Sequence, residues 1–184
     1  MPEAPELPTM TEKSNETVTF RQWRHLIDKK NWEQLCNQVK NQKITPSGAL
    51  LAAYAEVIGR WSKQPSFCID ITILNRPNIH DQINQIVGDF TEVDILEVSP
   101  AYPSTFSERA KKIQNRLWED LGHNTFTGME VLREINRKNN KKAIYPVVFT
   151  STVGAYDSRD ISGEFMRDSK LTFKISQTPQ VWID

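Results

Sequence analysis

The sequence predicts an α/β domain, a mixed β-sheet packed with helices, and three stretches carry that prediction. Residues 67–74 alternate Phe67, Ile69, Ile71 and Ile73 against Cys68, Asp70, Thr72 and Leu74, the period of a strand with one wholly apolar face. Residues 104–122 place Phe106, Ala110, Ile113, Leu117 and Leu121 at helical spacing, with charged side chains on the other side. Residues 144–151 form a β-branched and aromatic run ending in Thr150 and Ser151, which reads as a buried strand delivering two hydroxyls to its mouth. Strands near 18, 70, 95, 147, 173 and 182 alternate with helices, the order of an α/β sheet.

In chain order, residues 1–15 carry Pro2, Pro5 and Pro8 without apolar periodicity and read as an extended, poorly packed connector. Residues 17–23 alternate and predict a strand. From Asp28, an N-cap type, Trp32, Leu35, Cys36 and Val39 recur at helical spacing through residue 42, which assigns Trp32 to the core. Thr45-Pro46 is a strong helix start, because threonine accepts from first-turn amides and proline at the first helical position has no donor to waste. The helix that follows, to about Trp61, is apolar nearly all round and predicts burial on two sides, with Gly48 permitting close approach and no residue expected to act chemically. Strand 67–74 breaks at Asn75-Arg76-Pro77, where Asn75 either binds a ligand or caps the loop. Ile79, Ile83, Ile86 and Val87 suggest a helical turn into Gly88-Asp89-Phe90-Thr91, a sharp turn in which Asp89 can hold backbone amides, before a strand over 93–98.

Ser104 or Thr105 caps the amphipathic helix at 104–122, and Gly122 stops it. A second helix starts at Thr127, with Met129, Val131, Leu132 and Ile135 as its stripe and a basic end that suits the helix dipole. Residues 154–168 read as a polar loop and 170–175 as another strand. Pro179 supplies no backbone donor, so residues 175–184 read as a strand, a kink and a second extended piece, with Thr178, Gln180 and Asp184 able to line a site.

Composition narrows the function. At 184 residues the chain holds one domain, or at most two small ones. Lys plus Arg equals Asp plus Glu, 23 against 23, so no global field draws nucleic acid or an anionic membrane. Apolar runs are too short to cross a bilayer and residues 1–12 lack the basic-then-apolar form of a signal peptide, which points to the cytoplasm. Cys36 and Cys68 suit a reduced pair of core residues. His25, His80 and His123 stand far apart in the sequence, so no metal site is expected.

Several motifs carry a family resemblance. Pro146-Val147-Val148-Phe149-Thr150-Ser151 and Ser176-Gln177-Thr178-Pro179-Gln180-Val181, closed by Asp184, resemble the last two core motifs of nonribosomal peptide synthetase heterocyclization domains, a variant of the condensation-domain superfamily. Pro2-Glu3-Ala4-Pro5-Glu6-Leu7-Pro8 resembles the family's proline-rich middle motif. Thr45-Pro46-Ser47-Gly48-Ala49-Leu50-Leu51 resembles the motif opening a helix that closes here in Ile58-Gly59-Arg60-Trp61. Gly88-Asp89-Phe90-Thr91, Leu117 through His123, and Val131-Leu132-Arg133-Glu134 follow in the family's order. Two departures are visible: Gly122 stands where the family has an Asp before the histidine, which removes a partner for His123, and Thr127-Gly128 replaces Ser-Gly. Asp89 and Asp94 share the spacing of the family's N-terminal Asp pair, but Glu97 replaces its serine and the match reads as coincidence.

The resemblance implies a chloramphenicol acetyltransferase-like lobe, with residues 1–15 as the inter-lobe linker and 16–184 as a C-terminal lobe cut at both ends. It implies a reaction in which a carrier-bound acyl or aminoacyl thioester condenses with Cys, Ser or Thr and cyclodehydrates to a thiazoline or oxazoline. It assigns Asp184 as general acid/base and Thr150 as the hydroxyl that orients Asp184 or the intermediate, with Asp89 near the substrate channel and Gln177, Thr178 and Gln180 as polar contacts; Asn75 and Ser151, at strand ends, join them as candidate substrate contacts. Partners would be the N-terminal lobe, upstream and downstream peptidyl carrier proteins and an adenylation domain. The phosphopantetheine arms of the carriers would bring the substrates, and the lobe itself would bind no cofactor. A general acid at a frayed end is poorly fixed, so the lobe alone is expected to be inactive. A non-catalytic carrier-binding module and a structural fragment remain alternatives.

Overall fold

The computed structural model describes residues 1–9, 21–76, 79–99, 104–123, 126–140, 142–153 and 180–184. Its elements are α1 (Lys29–Asn41), α2 (Pro46–Trp61), β1 (Phe67–Leu74), a 3-10 turn (Ile83–Gln85), β2 (Thr91–Val98), α3 (Phe106–Leu121), α4 (Gly128–Asn139) and β3 (Val148–Thr150). All four helices begin where their sequences demand. Asp28 accepts from the Asn31 amide at 2.9 Å and Thr45 from the Gly48 amide at 3.0 Å. Thr105 with Glu108, and Thr127 with Glu130, close reciprocal capping boxes that satisfy two first-turn donors each.

The sheet is mixed, in the order β2-β1-β3. β1 runs antiparallel to β2, with Phe67 opposite Val98 and Leu74 opposite Thr91. It runs parallel to β3, with Asp70 opposite Val148 and Thr72 opposite Thr150. β1 is therefore central, and both of its faces are covered. On one face Phe67, Ile69 and Ile71 join Leu96 and Val147 against Leu51 and Ile58 of α2, with Ile113 and Leu117 of α3 alongside. On the other, Cys68 and Ile95 pack with Tyr145, and Ala4 and the α4 residues Val131 and Leu132 close over them. Cys68 and the Asp70 carboxyl oxygen, on the second side of the predicted alternation, are thus buried as well, whereas Leu74 at the strand end is exposed, a split that single-strand periodicity does not reveal.

α3 is fastened to the start of α2 by one buried amide. Gln114, 2% exposed, accepts from the Thr45 amide at 2.7 Å and the Thr45 hydroxyl at 2.9 Å, and donates to the Lys43 carbonyl at 3.2 Å. Gly48 makes room for it: a Cβ there would lie 2.7 Å from Gln114 Oε1. Gly128 does the same for α4, where a Cβ would lie 2.4 Å from the Val93 carbonyl oxygen.

Several expectations change. Residues 2–7 are packed against the domain: Pro5 is buried, Leu7 packs on the core, the Cys68 amide donates to the Glu3 carbonyl at 2.9 Å and the Lys63 amide to the Glu6 carbonyl at 3.1 Å. Three prolines pre-set an extended backbone whose carbonyls reach β1, so a segment without periodicity still docks. Residues 21–23 form no strand, and the rest of the strand expected over 17–23 lies outside the described residues. Of the apolar residues at 79–87 only Ile83 is buried, because the segment is a loop closed by a single 3-10 turn. Trp32 is half-buried, on a helix whose one fully buried residue is Val39. The loop over 154–168 and the strand over 170–175 lie outside the described residues.

Candidate functional site

Because β1 and β3 are parallel, their C-terminal ends open on the same side, and the side chains of Thr72 and Thr150 stand across from each other there. Residues 182–183 extend this edge. Ile183 forms a parallel bridge with Val147, the Val148 amide donates to the Ile183 carbonyl at 2.8 Å, and the Trp182 amide donates to the Pro146 carbonyl at 2.7 Å. The expectation of a frayed end at Asp184 is corrected by these contacts: backbone pairing one residue earlier places the carboxylate. Asp184 Oδ1 then lies 2.9 Å from Thr150 Oγ1, and Thr150 Oγ1 lies 3.0 Å from Thr72 Oγ1. An ionised carboxylate only accepts, so the Thr150 hydroxyl donates to Asp184 and its oxygen accepts from Thr72.

α2 contributes two further hydroxyls, neither expected from its apolar pattern. Tyr54 donates to the Val148 carbonyl at 2.8 Å, and its ring packs on Phe149 at 5.5 Å between centroids. Burial, and then the negative charge of Asp184, hold the Tyr54 phenol well above the usual tyrosine range, so it stays a neutral donor. Ser47, at the start of α2, lies 2.9 Å from Ser151 through their hydroxyl oxygens. The sequence signal for Tyr54 was present only as a polar tip on an apolar helix, and for Thr72 only as a threonine on the polar side of a strand.

The other candidates spread out. Asn75 braces the ends of two strands: its side-chain amide donates to Glu92 at 2.8 Å and its backbone amide to the Phe90 carbonyl at 2.9 Å. Asp89 is fully exposed and accepts from the Thr91 amide at 2.9 Å, and the hydrogen bonds from Thr91 hold its carboxyl below the ordinary range. Arg76 ties this loop together by donating to the carbonyls of Ile83 and Ile86 while its guanidinium covers Phe90 at 3.9 Å. Gln180 sits in an exposed turn, and Gln177 and Thr178 lie outside the described residues. Among the described residues no group of three His, Cys, Asp or Glu side chains is placed to share a metal ion.

Two carboxylates lie deeper in the sheet. Asp70 Oδ1 and Asp94 Oδ2 are buried without a hydrogen-bond partner. Burial, and then the charge of Asp94, push the Asp70 carboxyl up to about 7. Asp94 is also raised, by burial and by Asp120, against the opposing pull of the Ile95 amide and Arg116.

Thr150, Ser151, Asp184 and the α2 hydroxyls lie in segments whose motifs carry the family resemblance, and comparison with known proteins bears on it. The family model described as "Condensation domain" matches residues 1–181. The chain belongs to the condensation-domain family. It is 39% identical over 185 residues to the pyochelin synthetase PchF of Pseudomonas aeruginosa, covering 100% of this chain and 10% of that protein. It is 33% identical over 188 residues to the phenyloxazoline synthase MbtB of Mycobacterium tuberculosis, covering 100% of this chain and 13% of that one. Among solved structures it resembles the EpoB nonribosomal peptide synthetase cyclization-docking bidomain of Sorangium cellulosum, with 37% identity and a TM-score of 0.72 over 83% of this chain and 31% of that one. The chain therefore spans about a tenth of the length of the curated relatives it matches. The likeness to heterocyclization domains read from the motifs holds, and the fold is the chloramphenicol acetyltransferase-like α/β architecture of condensation domains. Among the described residues no helix is long and apolar enough to cross a membrane.

Proposed function

We propose that this condensation-family chain is the C-terminal lobe of a nonribosomal peptide synthetase heterocyclization domain. Residues 16–184 form the lobe and residues 1–15 are the segment that crosses to the N-terminal lobe. The domain joins a carrier-bound acyl or aminoacyl thioester to the amine of Cys, Ser or Thr on a second carrier, then closes the side chain onto the new amide to give a thiazoline or oxazoline. Its partners are the N-terminal lobe, the upstream and downstream peptidyl carrier proteins with their phosphopantetheine arms, and an adenylation domain, all in the cytoplasm. No cofactor is bound by the lobe itself.

Ring closure requires proton movement at fixed places. The thiol or hydroxyl adds to the amide carbonyl carbon and its proton passes to the carbonyl oxygen. The resulting hydroxyl then leaves as water when it receives a proton, while the nitrogen gives one up and the C=N bond forms. Asp184 serves this second stage by taking the nitrogen proton and supplying one to the leaving oxygen, and Thr150 holds it in place. The observation that carries this reading is the 2.9 Å contact between Thr150 Oγ1 and Asp184 Oδ1 at the open end of the sheet. Asn75, Ser151, Gln177, Thr178 and Gln180 are the candidate substrate contacts of this reading, with Asp89, exposed and already held by Thr91, the weakest of the set.

The test is mass spectrometry of carrier-tethered product made by a complete heterocyclization domain bearing this chain as its C-terminal lobe, with two loaded carriers, against the same domain with Thr150→Ala. Condensed product that loses one water, and keeps it in the variant, is the expected result. A folded domain that makes no condensed product would leave a carrier-binding or structural role in place of the catalytic one.

A further inference from the structure

Thr150 has one proton and two lone pairs, and two groups lie within hydrogen-bond distance of its oxygen: Asp184 at 2.9 Å and Thr72 at 3.0 Å. With Asp184 ionised, the Thr150 proton points at the carboxylate and Thr72 donates into Thr150. With Asp184 protonated, the same contacts run backwards, Asp184 donating to Thr150 and Thr150 to Thr72. The pair of threonines thus serves both states of the carboxyl group without moving a heavy atom. Removing the Thr72 hydroxyl leaves Thr150 with a single partner, so in one of the two states its proton points at nothing.

The two threonines are not equally anchored. Thr150 ends a three-residue edge element. Thr72 sits in the eight-residue central strand, hydrogen-bonded on both sides and next to Ile71, which is buried. Chained hydroxyls also strengthen one another, because a hydroxyl that accepts donates more strongly. We propose that Thr72 is a positioning residue for ring closure, holding and reversing the Thr150 hydroxyl so that Asp184 stays in one place while it takes up and gives back a proton. The inference rests on the assignment of Thr150 and Asp184 above and adds a third group to that site.

Two substitutions separate the hydroxyl from the shape that carries it. Thr72→Val keeps the β-branched outline and loses the hydroxyl, whereas Thr72→Ser keeps the hydroxyl and loses the methyl group. In a complete heterocyclization domain bearing this chain, with two loaded carriers and single-turnover sampling by mass spectrometry, condensed open product and cyclised product are counted separately. Thr72→Val is expected to slow ring closure roughly three- to tenfold, the worth of one hydrogen bond, and to leave condensation at the wild-type rate. Thr72→Ser is expected to restore ring closure. A packing role reverses the pattern, sparing Val and harming Ser. Ring closure at the wild-type rate in Val, or equally slow in Val and Ser, overturns the proposal. Should the valine variant not fold, Thr72→Ala takes its place against Ser with the same two outcomes. Thr150→Ala run alongside keeps the failures apart: if it does not slow ring closure, the site assignment falls, and if it does while Thr72→Val does not, only Thr72 is lost.

Discussion

Asp184 lies at the open end of the sheet with the Thr150 hydroxyl 2.9 Å from its Oδ1, whereas Asp70, two residues before Thr72 on the central strand, buries its Oδ1 with no hydrogen-bond partner. Both belong to the same small sheet, and the contrast separates two properties that often travel together. Asp70 has the strongly perturbed proton affinity, up to about 7, yet the hydroxyls able to orient a reacting carboxyl gather around Asp184. Perturbed titration marks functional sites only as a tendency, since burial beside a second carboxylate such as Asp94 produces it without any chemistry. Position decides instead: a general acid must reach substrate, and the strand ends are where a sheet presents side chains.

The largest effect expected is on Asp184. Asp184→Asn should reduce ring closure by ~10²–10⁴ while open condensed product still accumulates, read as the ratio of the two on the carrier. Loss of condensation as well would break the assignment to the second stage.

Asp70 should behave in the opposite way. Its carboxyl is raised in the fold from 3.8 to about 7, so the folded state holds the proton that the unfolded chain releases. Stability is fullest below about 4 and is lost as pH rises through 7. Asp70→Asn should therefore stabilise the chain by roughly 1–3 kcal/mol at pH 8, with the gain vanishing by pH 4, and should leave ring closure unchanged. Thermal melts across that pH range check the first part. A collapse of ring closure in Asp70→Asn would make the buried carboxyl, and not Asp184, the acid to pursue.

Tyr54→Phe tests whether α2 supports the site from behind. It removes one hydrogen bond to the Val148 carbonyl and should cost about 1 kcal/mol in urea unfolding. The accompanying fall in ring closure should be smaller than that of Asp184→Asn. Asp89 supplies the smallest effect: its carboxylate is exposed and occupied by Thr91, so Asp89→Asn should leave both the melting temperature and ring closure close to wild type. A large loss of product with an unchanged melt would instead raise it from the weakest to a leading substrate contact.

Sequence reading was strongest where neighbours along the chain decide. Thr45-Pro46, Thr105 with Glu108, and Thr127 with Glu130 each announced a helix start that forms as expected, because capping involves residues three apart. It was weakest where a residue's partner is far away. The Pro-rich start reads as a loose connector because its contacts are with Cys68 and Lys63, and nothing near Gln114 in the sequence marks it because its partners, Thr45 and Lys43, are about seventy positions earlier. Tyr54 is hidden in the apolar pattern of its helix, because helical periodicity records which face is apolar and not which carbonyl lies at the tip of a side chain.

The amino-acid sequence by itself determined the α/β class, the type and bounds of most elements, and the motifs that led to the condensation family, since these rest on local periodicity, capping chemistry and short patterns. Only the tertiary structure decided that β1 lies between β2 and β3, that a parallel register sets Thr72 across from Thr150, and that backbone pairing at Ile183 carries Asp184 to the same hydroxyl. The physical reason is distance along the chain: the register that meets at the site joins Thr72 to Thr150, 78 positions apart, and Thr150 to Asp184, 34 apart, which no window along the chain contains.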